Sequence, residues 1–304
     1  MEQQMDILER IHASYYQLTA AERKIADYVL AHHQQVQFMS ITQLAEECGT
    51  ADATVSRFCR NLKLKGFNAF KLEIAKRSAA ASAAAGSHPI ADAQTSQGRR
   101  HEVGRLSHEA VSQTIELLDY AAVEKAVALF EGANRVLCAG SGGSSIMASD
   151  CCHQFSTVSN KFFSVADTHM QMSAVATMTP GDVIILFSYS GATTAGLQLL
   201  EQANARGLHT VLVTRYQKSP AARLSEVVLL SGANETPVQQ GSVYAKIAQL
   251  VVMGVLFQEY YHRNRDSSDA NLQNIATALS GMHVYPVCPD RPLPWDGPFF
   301  LNLR

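Results

Sequence analysis

An α/β fold, with an all-α N-terminal domain ahead of a doubly wound parallel-sheet domain, is predicted by three features of the 304-residue sequence. Short apolar runs alternate with helical patterns between residues 135 and 230, as in successive βα units. A helix, a glycine turn and a second helix stand near the N-terminus. Between the two regions lies alanine, serine and glycine with hardly a large apolar residue, too little to bury a core of its own. The organisation reads as domains at 1–77 and 108–264, a linker at 78–107, and a terminal helix with a proline-rich tail at 265–304.

Composition bounds the rest. With 47% hydrophobic and 17% charged residues the chain is of globular type, and its net charge of −2 means that any surface for a polyanion is local. The six cysteines form no CxxC pair and have no histidine at zinc-finger spacing, so reduced thiols in a cytoplasmic protein are expected. No signal peptide and no apolar segment of bilayer length is evident, and no membrane association is expected.

In chain order, Thr19 with Glu22 three residues on has the spacing of a capping box, opening a helix through Ile25, Tyr28 and Val29. A second helix spans Ile41 to Cys48, capped by Ser40 or Thr42, and Gly49 follows where a positive φ is tolerated. A third, Asp52 to Leu62, turns Val55, Phe58 and Leu62 inward and Asp52, Ala53, Thr54, Ser56, Arg57 and Arg60 outward. From Thr54 to Arg77 seven cations (Arg57, Arg60, Lys63, Lys65, Lys71, Lys76, Arg77) stand against one carboxylate, Glu73, a local charge of +6. Phosphate-backbone binding requires such a patch; the solvated face of an ordinary three-helix bundle is the alternative. In the linker, the alanine run Ala79–Ala85 could prolong the preceding helix.

The strands are read at 135–139, 162–165, 182–188, 210–214 and 227–230. Val183 to Phe187 is apolar without alternation, as for a strand buried on both faces, and stops on Ser188-Tyr189-Ser190-Gly191-Ala192-Thr193-Thr194. At such a strand-to-helix handover the first-turn N–H groups and the helix dipole favour an anion. The hydroxyls then line a cradle for a phosphate ester, or simply cap the helix. The first strand ends on Gly140-Ser141-Gly142-Gly143-Ser144-Ser145, and Ser145 breaks the dinucleotide fingerprint, so no cofactor is expected. His153 has no partner at ligand spacing, so no metal is expected either.

Glu22-Arg23-Lys24-Ile25-Ala26-Asp27-Tyr28, Met39-Ser40-Ile41, Leu44-Ala45, Ala53-Thr54-Val55, Arg57-Phe58-Cys59-Arg60 and Lys65-Gly66-Phe67 resemble the N-terminal domain of the RpiR family of bacterial transcriptional regulators. The paired Gly-Ser-Gly-Gly-Ser and Ser-Tyr-Ser-Gly-Ala-Thr turns resemble the SIS (sugar isomerase) domain, which binds phosphosugars and which those regulators carry behind the helix-turn-helix. The resemblance implies that Ser144, Ser188, Tyr189, Ser190 and Thr193, with Gly142, surround a phosphate group, and that Glu235 and Gln240 contact the ligand. Ala166-Asp167-Thr168-His169 and Gly181-Asp182 also match sensor regions of that family. Two departures stand out. Thr50-Ala51 replaces the family's usual Val-Ser, leaving Thr50 or Asp52 to cap the third helix. Gln240-Gly241 and Ala245-Lys246 replace Arg-Ser and Ser-Arg, which bears on the identity of the sugar.

The expected function is that of a regulator of sugar or amino-sugar metabolism, not an enzyme. It would bind double-stranded operator DNA under the control of a sugar-phosphate effector, as a homodimer or homotetramer. Thr50, Asp52, Thr54, Ser56, Arg57, Arg60, Lys63 and Lys65 are the candidate operator contacts, with Lys71 on the phosphate backbone. Leu250, Val251, Val255 and Leu256 are candidates for a subunit seam or for core. The alternative is a phosphosugar isomerase or lyase with an added helical domain, for which His169, Glu235 and Lys246 are the acid–base candidates.

Overall fold

The computed structural model of the chain describes residues 6–84, 95–233 and 242–280. Its helical part begins earlier than the sequence pattern suggests. A capping box between Asp6 and Glu9 opens α1 (Ile7–Ser14), and a short 3-10 turn leads to α2 (Ala20–Val36). The box between Thr19 and Glu22 forms in full. Glu22 is buried, and its other oxygen accepts from Asn61 Nδ2 at 2.7 Å, so one carboxylate ties the start of α2 to the end of α4 (Asp52–Asn61). Ser40 caps α3 (Ile41–Glu47) through a second such box with Gln43. Gly49 turns the chain from α3 to α4 at φ +59°. Phe70 and Ile74 of α5 (Phe67–Ala84) close a core with Ile11, Ile25, Leu44, Val55 and Phe58.

The cap of α4 differs from expectation. Ala51 is its N-cap and no side chain serves its first turn. Thr50 and Asp52 are both turned to α3: Thr50 Oγ1 donates to the Ala45 carbonyl at 3.4 Å, and Asp52 accepts from Thr42 Oγ1 at 2.9 Å. The stretch 78–107, read as a linker, is helical at both ends. α5 runs on through the alanine stretch to Ala84, and α6 (Ser96–Leu117) starts within it. Thr95 caps α6, and Arg105 pairs with Glu102 and Glu109 at helical spacing. Local caps and ion pairs thus stand in for the missing large apolar residues.

α7 (Tyr120–Gly132) leads into the sheet domain. Among the described residues the strands are β1 (Val136–Gly140), β2 (Phe162–Ser164), β3 (Val183–Phe187), β4 (His209–Thr214) and β5 (Val227–Leu230). All pairings are parallel and the order is β2-β1-β3-β4-β5. Each connection carries a helix: α8 (Gly143–Ser156), α9 (Thr168–Thr177), α10 (Thr194–Ala205) and α11 (Pro220–Leu224); α12 (Val243–Arg263) and α13 (Arg265–Leu279) follow. Alternate strand residues feed opposite cores. Val136, Cys138, Val183 and Ile185 pack with Phe130 and Phe155, whereas Leu137, Ala139, Ile184 and Leu186 pack with Val175 and Leu199. Helices therefore cover both faces, and the unbroken apolar run of β3 is explained.

Leu256 belongs to the first of these cores and is fully buried, so it is not free for a subunit seam, whereas Leu250 is exposed. Cys48, Cys59, Cys138, Cys151 and Cys152 are free thiols, and burial pushes Cys59 up to about 12. Among the described residues no three His, Cys, Asp or Glu side chains cluster to hold a metal, and no helix is long and apolar enough to cross a membrane. The tail beyond Ser280 lies outside the described residues.

Truncating Glu22 removes an acceptor that serves two helix ends at once. Glu22→Ala is expected to destabilise the helical domain by about 2 kcal/mol, measured by denaturant unfolding. Glu47→Ala, on the surface, is expected to shift it by less than about 0.5 kcal/mol.

Candidate ligand cleft and nucleic-acid face

In a sheet of order 2-1-3-4-5 the chain leaves β1 and β3 in opposite directions, opening a crevice beyond their carboxyl ends. Gly140 and Phe187 are register partners there, so the two hydroxyl-rich turns emerge side by side. Both line one cavity of about 710 Å³. The structure brings Gly142, Ser144, Ser188, Tyr189, Ser190 and Thr193 together on its wall. Glu235 and Gln240 lie outside the described residues.

Two glycines let the turns close up. A Cβ on Gly140 would stand 2.6 Å from the Ser144 carbonyl oxygen, so only glycine lets α8 start so near the end of β1. Gly191, at φ +57°, is pressed on Ser219, where a Cβ would meet Oγ at 2.1 Å. Gln171 Nε2 bonds the carbonyls of Gly140 and Val165 at 2.8 and 2.7 Å, fixing the ends of β1 and β2 below the cleft.

The helices that follow β1 and β3 at the cleft differ from most others among the described residues. α1, α2, α3, α6, α7, α9, α11 and α12 each have an N-cap side chain that accepts from the first turn. α8, capped by Gly142, and α10, capped by Thr193, do not. Neither first turn is capped by a side chain; in α8 Ser144 N and Ser145 N bond the Ser141 and Gly142 carbonyls at 3.2 and 3.1 Å, and both helix starts sit at the positive ends of their dipoles, an arrangement suited to an anion. Ser190 Oγ accepts from Ala192 N at 3.3 Å, and a hydroxyl so placed still has its proton to donate. Tyr189 has committed its proton, donating from its hydroxyl to the Ala233 carbonyl at 3.0 Å, and serves as wall.

The cations on the cavity wall are Lys246 of α12 and Lys71 of α5. Lys71 corrects a sequence reading. It is not turned outward to a DNA backbone: Nζ donates to the Met39 carbonyl at 2.9 Å and stands over the rings of Phe67 and Tyr216, and burial pushes its pKa down to about 8. The +6 run is trimmed further by Asp6, which pairs with Arg77, while Glu73, already counted in it, pairs with Lys76. Arg57, Arg60, Lys63 and Lys65 are exposed on α4 and the loop after it, with Thr54 and Ser56 half-buried beside them. Asp182, matched to a sensor region, instead anchors the opposite end of β3, accepting from Arg135 N and Thr179 N at 2.9 and 2.8 Å. His169 is exposed on α9 and is not part of the cavity wall, and Asp167 caps that helix.

Comparison with known proteins agrees with this geometry. The helix-turn-helix domain of the rpiR family matches residues 5–81, and the SIS domain matches residues 129–258. An uncharacterized HTH-type transcriptional regulator of Caldanaerobacter subterraneus subsp. tengcongensis is 29% identical over 279 residues, 90% of this chain and 97% of that one. Among solved structures, the Vibrio vulnificus NanR protein complexed with ManNAc-6P superposes with a TM-score of 0.82 at 24% identity, covering 92% of this chain and 100% of that one. The sugar isomerase domain of an RpiR transcription factor from Sphaerobacter thermophilus gives 0.53 at 24% identity, over 59% and 98% of the two chains. At such identities the likeness is one of fold.

Gly140→Ala is expected to push α8 away from β1, costing about 1–3 kcal/mol of stability and abolishing anion binding in the cleft. Thermal unfolding with and without millimolar inorganic phosphate reads both effects.

Proposed function

The chain belongs to the RpiR family, a transcriptional regulator with a helix-turn-helix and a SIS domain, and on that premise we propose that a sugar phosphate bound at the β1 and β3 turns modulates its binding to operator DNA. The observation that carries this reading is the meeting of two hydroxyl-lined turns and two uncapped helix starts on a single cavity. Such a site offers backbone N–H and O–H donors to a dianion, and its volume suits a phosphorylated monosaccharide. The ligand seen with the Vibrio vulnificus protein, ManNAc-6P, makes an amino-sugar phosphate the first class to test.

In this reading Ser144, Ser188, Ser190 and Thr193 hold the phosphate, while Glu235 and Gln240 contact the sugar. Arg57, Arg60, Lys63 and Lys65 contact DNA, with Thr54 and Ser56 at the major-groove face of α4 and Thr50 and Asp52 bracing its start against α3. Two chains in a dimer or tetramer would place two such helices on half-sites about 34–36 Å apart. A cytoplasmic setting follows from the DNA partner. The ligand acts only through a difference in affinity between two arrangements of the protein.

Two measurements test this. Ser190→Ala is expected to weaken sugar-phosphate binding about 10- to 100-fold by calorimetry, the cost of one charge-assisted hydrogen bond. Arg57→Ala combined with Arg60→Ala is expected to lower affinity for a selected operator fragment and to reduce the slope of log K against log salt by about 2. Steady turnover of the sugar phosphate by the purified chain would instead favour an isomerase or lyase.

A further inference from the structure

The cavity is not built from the sheet domain alone. Asn68 and Lys71, one helical turn apart on α5 of the helix-turn-helix domain, form part of its wall. Two carbonyls just before α3 are held by side chains of the same cavity: Lys71 Nζ donates to Met39 O, and the Tyr216 hydroxyl donates to Phe38 O. Met39 directly precedes Ser40, the N-cap of α3. Tyr216 follows β4 in the sheet domain, and Lys218 two residues on pairs with Glu46 of α3 at 2.6 Å. The loop that seats α3 is therefore gripped from inside the ligand cleft.

Lys71 is the member of this grip that a phosphate would disturb. Among the described residues it has no carboxylate within ion-pair distance; its neighbours are one carbonyl and two ring faces. A cation so placed is poorly compensated. The packing of the helical core does not require its charge, since Phe70 and Ile74 supply the buried contacts of α5. A dianion at the β1 and β3 turns supplies the missing opposite charge across the same cavity.

Building on the sugar-phosphate reading, we propose that Lys71 is a phosphate ligand contributed by the DNA-binding domain, and that its transfer from the Met39 carbonyl to the phosphate loosens the seat of α3. The occupied cleft then reaches the helix-turn-helix through one hydrogen bond exchanged for a stronger, charge-assisted one. Effector control needs no long relay in this arrangement, because the residue that binds the effector also holds the loop ahead of α3.

The test titrates full-length wild type, Ser190→Ala, Lys71→Met and Lys71→Arg with inorganic phosphate. Calorimetry gives affinity, and hydrogen exchange gives the protection of residues 38–48. Wild type is expected to bind saturably and to lose protection at 38–48 on binding. Lys71→Met is expected to bind about tenfold more weakly and to show no phosphate-dependent change there. Lys71→Arg, which keeps the charge, is expected to stay within about threefold of wild type. A purely structural lysine would lower the melting temperature without moving phosphate affinity. Wild-type affinity in Lys71→Met, with binding lost in Ser190→Ala, overturns the role of Lys71 and leaves the phosphate cleft standing. No saturable binding by wild type overturns both. Should Lys71→Met fail to fold, Lys71→Gln serves in its place with the same outcomes.

Discussion

Everything in the sheet domain depends on two helix starts being held side by side without side-chain caps. Strand order does the first part: with β1 and β3 adjacent and their connections leaving on opposite faces, α8 and α10 begin at the same point of the sheet edge. Glycine does the second. Gly140 admits the backbone of Ser144 to a distance that no other residue allows, and Gly142 takes the N-cap position, where it has no side chain to accept from the helix. Elsewhere the chain caps most of its helices with Ser, Thr or Asp. Leaving these two open forgoes a few tenths of a kcal/mol at the Gly142 cap and about 1 kcal/mol at Thr193, which a bound anion can return.

The same economy recurs in the helical domain. Glu22 gathers Thr19 and Asn61 onto one buried carboxylate, and Asp52 is spent on Thr42 rather than on its own helix. The first turn of α4 is thereby left without a side-chain cap, with Arg57 and Arg60 further along the helix. The helix starts at the cleft and the start of α4 thus share one feature, a first turn without a side-chain cap. α5 joins them, since it packs in the helical core through Phe70 and Ile74 and presents Lys71 to the cleft.

Much of this was legible in the sequence, because the informative signals are local. The capping box at Thr19 follows from spacing alone, and Ser40 was one of two caps the sequence offered for α3. The strands of the sheet follow from apolar runs that end on small residues, and the two turns are visible as Gly-Ser and Ser-Tyr-Ser-Gly clusters. What was not legible is non-local. Charge counting placed Lys71, Lys76 and Arg77 on the DNA face, but one faces the cleft and the others are paired with Glu73 and Asp6. The first half of α6 read as linker because it is held by a cap and ion pairs rather than by an apolar stripe. Tyr189 read as one of the residues around the phosphate, and only its distant partner, the Ala233 carbonyl, shows where its proton goes.

The most direct measurement is a crystal structure of the full chain with a bound hexosamine 6-phosphate. The account predicts phosphate oxygens within about 2.7–3.2 Å of first-turn N–H groups of both α8 and α10 and of the Ser190 hydroxyl. A phosphate seated on only one of those helices, or away from both with the sugar ring in the turns, would contradict it.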